Sequence, residues 1–268
     1  MKEQPGPSPP NISLRAKTRR SNLPPVSASA MKSLSLTGKT ALVTGASRGI
    51  GLAIARALAR EGVRLALLSR SRPPATLRGK FFACDLAESE TIPAAVSAAL
   101  RHLGRLDFLI NNAGMFLEKS VAEISLADWE KTLRVNLTAP FLLCRQALPH
   151  LAARRGRIVN ILSSAAMQGY EQQAAYCASK HGFLGFARAL ALEAKSRGIH
   201  IYNLCPGGVQ TDLIRGTALG ARLKGQSLIQ PEDIAGLVVF LLRQPDRLDL
   251  PELLIRRFPA PAKAAIKG

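Results

Sequence analysis

Tyr176 and Lys180 are the residues of this chain whose types and spacing point most directly to chemistry. Four positions apart on one helix they share a face, so an ammonium would lie near a phenol and favour its ionised form. An ordinary tyrosine, with a pKa of ~10, is a poor proton donor or acceptor near neutrality, and a neighbouring cation would lower that value. Two adjacent serines, Ser163 and Ser164, precede the tyrosine in ILSSAAMQGYEQQAAYCASK, residues 161–180. Neither sits in a G-x-S-x-G elbow, so a serine-hydrolase reading fails. A second constellation is TGASRGIG, residues 44–51. Its glycines let a turn tighten and let the backbone approach a pyrophosphate, which the N-terminus of a following helix would stabilise.

These groups need elements to hold them. From Lys39 onward, short apolar runs alternate with amphipathic stretches: KTALVTG, VRLALLS, KFFACDL, LDFLINNAG, GRIVNILS and IHIYNLCPG read as strands. GLAIARALAREG, SETIPAAVSAALRHLG, YCASKHGFLGFARALALEAKSRG and PEDIAGLVVFLLRQ read as helices, as does a long region from about Ala127 to Ala153. SRPPATLRG is too short and proline-rich for a full helix, and ELLIRR reads as a last short strand. The alternation predicts an α/β, Rossmann-like, doubly wound parallel sheet in a single domain, with ligands at the carboxyl ends of the strands.

Composition bounds the remaining classes. The net charge of +19 attracts any polyanion. Seven of the basic residues against one acid lie in residues 1–40, however, and no zinc-finger spacing, RNP signature or aromatic–basic alternation accompanies them. A solvated basic surface, with no specific nucleic-acid partner, is the expectation. No apolar run reaches the roughly 20 residues of a membrane span, so a soluble, cytoplasmic protein is expected. Cys84, Cys144, Cys177 and Cys205 lack CxxC spacing, and His102, His150, His181 and His200 lack ligand spacing, so reduced thiols and no metal are expected. Residues 1–35 read as a disordered basic Pro/Ser-rich extension, 36–258 as the folded domain and 259–268 as a flexible tail.

Further segments, in chain order, carry a resemblance to the short-chain dehydrogenase/reductase family, particularly to its 3-oxoacyl-(acyl carrier protein) reductases. They are the glycine loop, NNAG (residues 111–114), Asn136 in RVNLTAP, the Tyr176/Lys180 pair and CPGGVQT (residues 205–211). The resemblance implies that Tyr176 donates a proton to a carbonyl as hydride arrives from a nicotinamide cofactor. It implies too that Lys180 holds the nicotinamide ribose and that Asn136 holds a water leading to Lys180. Family members place the catalytic serine three residues after Asn and thirteen before Tyr, and both counts from Asn160 and Tyr176 reach Ser163. Implied cofactor contacts are Gly45, Ser47, Arg48, Gly49, Ile50 and Gly51 in the first loop, with Asp85 and Leu86 at the adenine. Asn112, Ala113 and Gly114 lie beside the adenosine ribose, and Pro206, Gly207, Val209 and Thr211 at the nicotinamide end.

An NAD site places an acid at the end of the second strand, whereas a 2′-phosphate needs cations. Here Ser69 takes that place, followed by Arg70, with Arg48 in the glycine loop, which favours NADP(H) over NAD(H). The expected substrate is a small carbonyl or alcohol compound, with an acyl-carrier-bound thioester in view because Arg154 and Arg197 match carrier-docking arginines. Residues 212–227 would cover it. Apolar residues from Phe183 to Leu192 suggest a homodimer or homotetramer, with core burial an alternative account of them. The rival to a reductase is a catalytically silent cofactor-binding scaffold whose basic surface holds a polyanion or partner.

Overall fold

The computed structural model describes residues 33–258, so the expected extension up to residue 32 and the tail from 259 lie outside the described residues. Seven parallel strands form one sheet in the order β3-β2-β1-β4-β5-β6-β7. They are β1 Thr40–Thr44, β2 Arg64–Ser69, β3 Lys80–Ala83, β4 Phe108–Asn111, β5 Arg157–Ile161, β6 His200–Pro206 and β7 Glu252–Ile255. Helices cover both faces, as the alternation predicts. On one side α1 (Gly49–Arg60) and α7 (Pro231–Leu242) bury Ile54, Leu58, Ile234 and Val238 against Val43, Leu65 and Leu67. On the other, α2 (Ile92–Leu103), α4 (Ala139–Ala152) and α5 (Ala174–Lys195) bury Val96, Leu143 and Leu190 against Leu42, Leu68 and Ile158. Successive strand residues such as Leu42 and Val43 thus serve opposite faces, which is why the central strands carry apolar residues at consecutive positions.

The long helix expected from Ala127 to Ala153 is interrupted. It divides into α3 (Leu126–Leu133), a π-helical turn at Arg134–Thr138 and α4. Pro140 supplies the reason: it has no N–H for the carbonyl of Asn136 four residues back, and its ring would clash there, so the backbone widens by one residue. The run from Phe183 to Leu192 is largely consumed by the core, since Phe183, Leu184 and Leu190 are buried, while Leu192 stays 79% exposed.

Two polar devices hold the sheet. At the amino ends, the buried Asp107 carboxylate accepts from Thr40 N (3.0 Å) and Oγ1 (3.1 Å) and is flanked by Lys39 (3.3 Å), Arg105 (3.5 Å) and Arg154 (3.7 Å). Arg157, also buried, donates to the Leu242 and Gln244 carbonyls that end α7 and to Asp246. Toward the carboxyl ends, Asn111, Asn160 and Asn203 lie in register on β4, β5 and β6. Asn111 Nδ2 donates to Asn160 Oδ1 (2.9 Å), and Asn160 Nδ2 to Asn203 Oδ1 (2.8 Å). This buried ladder fixes the strands from which three of the site's loops depart.

Candidate active site

The loop after β1 is shaped by what its glycines permit. Gly45 and Gly49 have φ of +67° and +54°, and a Cβ at Gly51 would stand 2.3 Å from both the Gly45 carbonyl oxygen and Asn112 Nδ2. Asn112 braces this turn: its Nδ2 donates to Thr44 O (2.9 Å), and its backbone N–H to Thr44 Oγ1 (3.0 Å). Helix α1 begins behind Arg48 with no side-chain cap and no acid in its first turn, so its leading N–H groups and positive dipole end face outward. A pyrophosphate fits this cradle.

A cavity of about 620 Å³ opens over the cradle. Gly45, Ser47, Arg48, Gly49, Ile50 and Gly51 line it from one side, Asp85 and Leu86 from beyond β3, and Asn112, Ala113 and Gly114 from β4. Arg70 lines it too, 4.0 Å from Asp85, with both side chains well exposed. Ser69 lines it as well, and its hydroxyl donates to Ser71 O (2.8 Å), building the turn that carries Arg70. That turn also carries Arg72, which sequence reasoning passed over because SRPPATLRG reads as a plain loop. Its guanidinium sits 4.9 Å from the Phe81 ring centroid, a cation–π contact that holds it at the cavity. Lys131 of α3 is a fourth cation on this wall, again without a sequence signal.

At the far end stand Tyr176 and Lys180, both on α5 and both buried. Lys180 Nζ lies 5.7 Å from the Tyr176 ring centroid and donates to Ile161 O at 3.3 Å. A Cβ at Gly114 would meet Asn136 Oδ1 at 3.3 Å and Lys180 Nζ at 3.6 Å, which places all three groups around one point. Asn136 is fully buried, with both amide hydrogens spent on Met115 O (2.9 Å) and Ser179 Oγ (3.0 Å), while Oδ1 accepts from Met115 N (2.8 Å). Its side chain therefore braces the β4 loop against α5. Its backbone carbonyl, lacking the α-helical donor that Pro140 cannot supply, is the freer group for a water.

The two serines point to different tasks. Ser163 Oγ accepts from Ala165 N (3.1 Å), capping the short turn Ser164–Ala166. It lies beside the Tyr176 hydroxyl, whose ionisation it favours. Ser164 Oγ is paired with Tyr170 Oη at 2.8 Å.

The expected lowering of the tyrosine pKa does not occur. Burial pushes the Tyr176 phenol up to about 12, and the opposing effect of Ser163 is smaller. Burial also pushes Lys180 down to about 8. Helix spacing brings the two together as expected, but it says nothing of how deeply both are enclosed, and desolvation penalises each charged form.

A second cavity of about 940 Å³ adjoins the first across Ile50, Leu162, Tyr176, Thr211 and Leu213, which line both. Pro206, Gly207 and Val209 line this second space and not the first, with Ser163 and Ser164. Phe116, packed edge-on to Tyr176 at 5.0 Å, forms part of its wall. The excursion over it is closed at its base where Val209 bridges Ile229, and it contains α6 (Ala218–Leu223). Glu118, its side chain 5% exposed, receives Leu219 N on both carboxylate oxygens (3.0 and 3.1 Å) and pairs with Arg222. Only the fold joins residues about one hundred positions apart in this way. Among the described residues no group of His, Cys, Asp or Glu could hold a metal ion, and no helix is long and apolar enough to cross a membrane.

Comparison with known proteins places this geometry. The family described as short chain dehydrogenase matches residues 39–219. D-threitol dehydrogenase of Mycolicibacterium smegmatis is 39% identical over 224 residues, 77% of this chain and 86% of that protein. The 3-oxoacyl-[acyl-carrier-protein] reductase FabG of Vibrio cholerae is 35% identical over 222 residues, 78% and 91% of the two chains. A metagenomic short-chain oxidoreductase solved in complex with NADP superposes with a TM-score of 0.72 at 34% identity, over 85% of this chain and all of that one.

Proposed function

We propose a reaction from the premise that the chain belongs to the short chain dehydrogenase family and is an NAD(P)-dependent oxidoreductase: NADPH-dependent reduction of a ketone or aldehyde to an alcohol, reversible in principle. What carries this reading is the position of Tyr176 on the wall shared by both cavities, with Ser163 beside it and Lys180 behind it. The nicotinamide, when bound, supplies the hydride. Gly45, Gly49 and Gly51 would hold the pyrophosphate, Asn112 to Gly114 would flank the adenosine ribose, and Asp85 and Leu86 the adenine. Pro206, Gly207, Val209 and Thr211 would border the nicotinamide end.

The chain's own groups then divide the work. Ser163 donates its hydroxyl hydrogen to the substrate oxygen and fixes it next to Tyr176. Tyr176, held protonated by burial, gives its proton to that oxygen as the bond to carbon is reduced. Lys180, still charged at neutrality, stabilises the phenolate left behind and holds the ribose hydroxyls. Asn136 fixes the β4 loop and offers its carbonyl to a water that returns the proton toward Lys180.

Preference for NADP(H) rests on Arg48, Arg70 and Arg72, which line the first cavity with Asp85; its other carboxylate, Asp212, pairs with Arg215. The Arg70–Asp85 contact is long and solvated, so it competes weakly with a 2′-phosphate. The relatives named as 3-oxoacyl reductases make a 3-oxoacyl thioester a substrate to test. Arg154 and Arg197 stand at the amino ends of β5 and β6, so a carrier docked on them would not face this chain's own cavities. The test is NADPH consumption against a panel of ketones, aldehydes and 3-oxoacyl thioesters. Tight NADPH binding without turnover of any of them would favour the silent scaffold instead. Arg70→Ala should weaken NADPH about tenfold more than NADH, and equal weakening would remove the cofactor assignment.

A further inference from the structure

We propose that Arg256 and Arg257 form an anion subsite at the outer part of the second cavity, so that the substrate is an oxo compound bearing a carboxylate or phosphate beyond its carbonyl. The proposal rests on the reductase reading and deepens it. β7 runs parallel to β6 with Ile255 opposite Pro206, so the residues leaving β7 emerge at the same end of the sheet as the loop at 207–209. Gly207 N donates to Ile255 O (2.9 Å), and a Cβ at Gly208 would stand 3.8 Å from Arg257 Cδ. Both arginines line the cavity that Ser163 and Tyr176 line, and no carboxylate lines it.

Acids on neighbouring segments are committed elsewhere, Asp212 among them through its pair with Arg215. Glu118 serves Leu219 and Arg222, and Glu252 holds Arg188 through two bonds of 2.7 and 2.9 Å. Among the described residues Arg257 donates to the neutral Gln226 Oε1, and Arg256 has no ion-pair or hydrogen-bond partner. Two cationic side chains on one cavity lining favour an anion there, which gains charge-assisted hydrogen bonds from them. Around them the wall is apolar, with Leu219, Leu223 and Leu254. A carbon chain would lie along these residues between the reacting carbonyl and the anion.

The experiment uses the full chain with NADPH and two matched substrate pairs: 4-oxopentanoate with its methyl ester, and acetoacetyl-coenzyme A with the neutral S-acetoacetyl-N-acetylcysteamine. Within at least one pair the anionic member should have about tenfold higher kcat/KM at low salt, falling as ionic strength rises. The carboxylate pair or the phosphate pair, whichever shows the effect, identifies the anion. The double variant R256Q/R257Q should lower that anionic-to-neutral ratio about tenfold, and R256E/R257E should drive it below one. If the arginines merely prop the covering loop through Gln226, both members of a pair would weaken together and the ratio would hold, which overturns the subsite. A wild-type ratio near one in both pairs overturns it as well while leaving the reductase intact. Loss of turnover for all four compounds, with NADPH still bound, overturns the reductase reading and the subsite with it.

Discussion

At the amino ends of the strands Asp107 is 2% exposed, and at the carboxyl ends Lys180 is 3% exposed, yet their surroundings are opposite in kind. Asp107 meets two hydrogen bonds from Thr40 and three cations within 4 Å. Lys180 meets one carbonyl oxygen at 3.3 Å and no carboxylate, and its ammonium is held at about 8 in consequence. The paired charge serves the sheet's cohesion; a buried charge left without a counter-charge, as at Lys180, is easily exchanged for a neutral form and serves a reaction. Tyr176 belongs with the second kind, its phenolate disfavoured until a substrate or cofactor changes what surrounds it.

Substitutions at the two ends should therefore separate activity from stability. The largest effect is expected from Tyr176→Phe, which removes the proton donor. Turnover should fall by about a thousandfold or more, with the melting temperature and NADPH affinity nearly unchanged. Comparable turnover in this variant would end the proton-donor assignment. Asp107→Ala should do the converse, costing about 2–4 kcal/mol in urea unfolding because it strands the Thr40 N–H and leaves three cations facing one another. The folded fraction should retain its kcat, and a kcat loss larger than the loss of folded protein would show that the two ends are coupled. Ser163→Ala should lower kcat/KM by about ten- to a hundredfold, whereas Ser164→Ala, which loses only its bond to Tyr170, should stay within about threefold. The reverse order would exchange the two roles.

The smallest effect concerns pH. Lys180 has its pKa lowered, so its charge is present below about 8 and lost as pH rises through that value. The rate of carbonyl reduction should decline above about pH 8, well before an ordinary lysine near 10.4 would titrate. Lys180→Met should be slower throughout and lack this limb. A wild-type decline that begins only near pH 10 would show that binding partners restore the ordinary value.

The order of strands and helices was legible because strands buried on both faces and helices buried on one leave different periods in the sequence. The glycine loop and the Tyr176/Lys180 spacing were legible because each depends on neighbours within one turn or loop. Asn136 could be named but its work could not, since its partners at Met115 and Ser179 come from two other elements. The direction of the tyrosine shift was misjudged for the same reason: helix spacing sets distance, while enclosure is set by the whole fold. Arg72, Lys131 and Phe116 lie outside any motif and reach the site through the turn after β2, a helix face and the β4 loop. Glu118 gave no signal, because its partner is the backbone of a segment far along the chain.

The asparagine ladder limits how this sequence can drift. Its amides run head to tail from Asn111 through Asn160 to Asn203, so each residue's orientation is dictated by the next. Replacing Asn160 alone with an apolar residue would leave the Asn203 acceptor without its partner, costing about 1–3 kcal/mol in a dry interior, and would leave Asn111 Nδ2 only its weaker contact with Cys144 Sγ (3.3 Å). An apolar rung across all three strands could be as stable as the polar one, but every single-step route to it passes through a poorer protein.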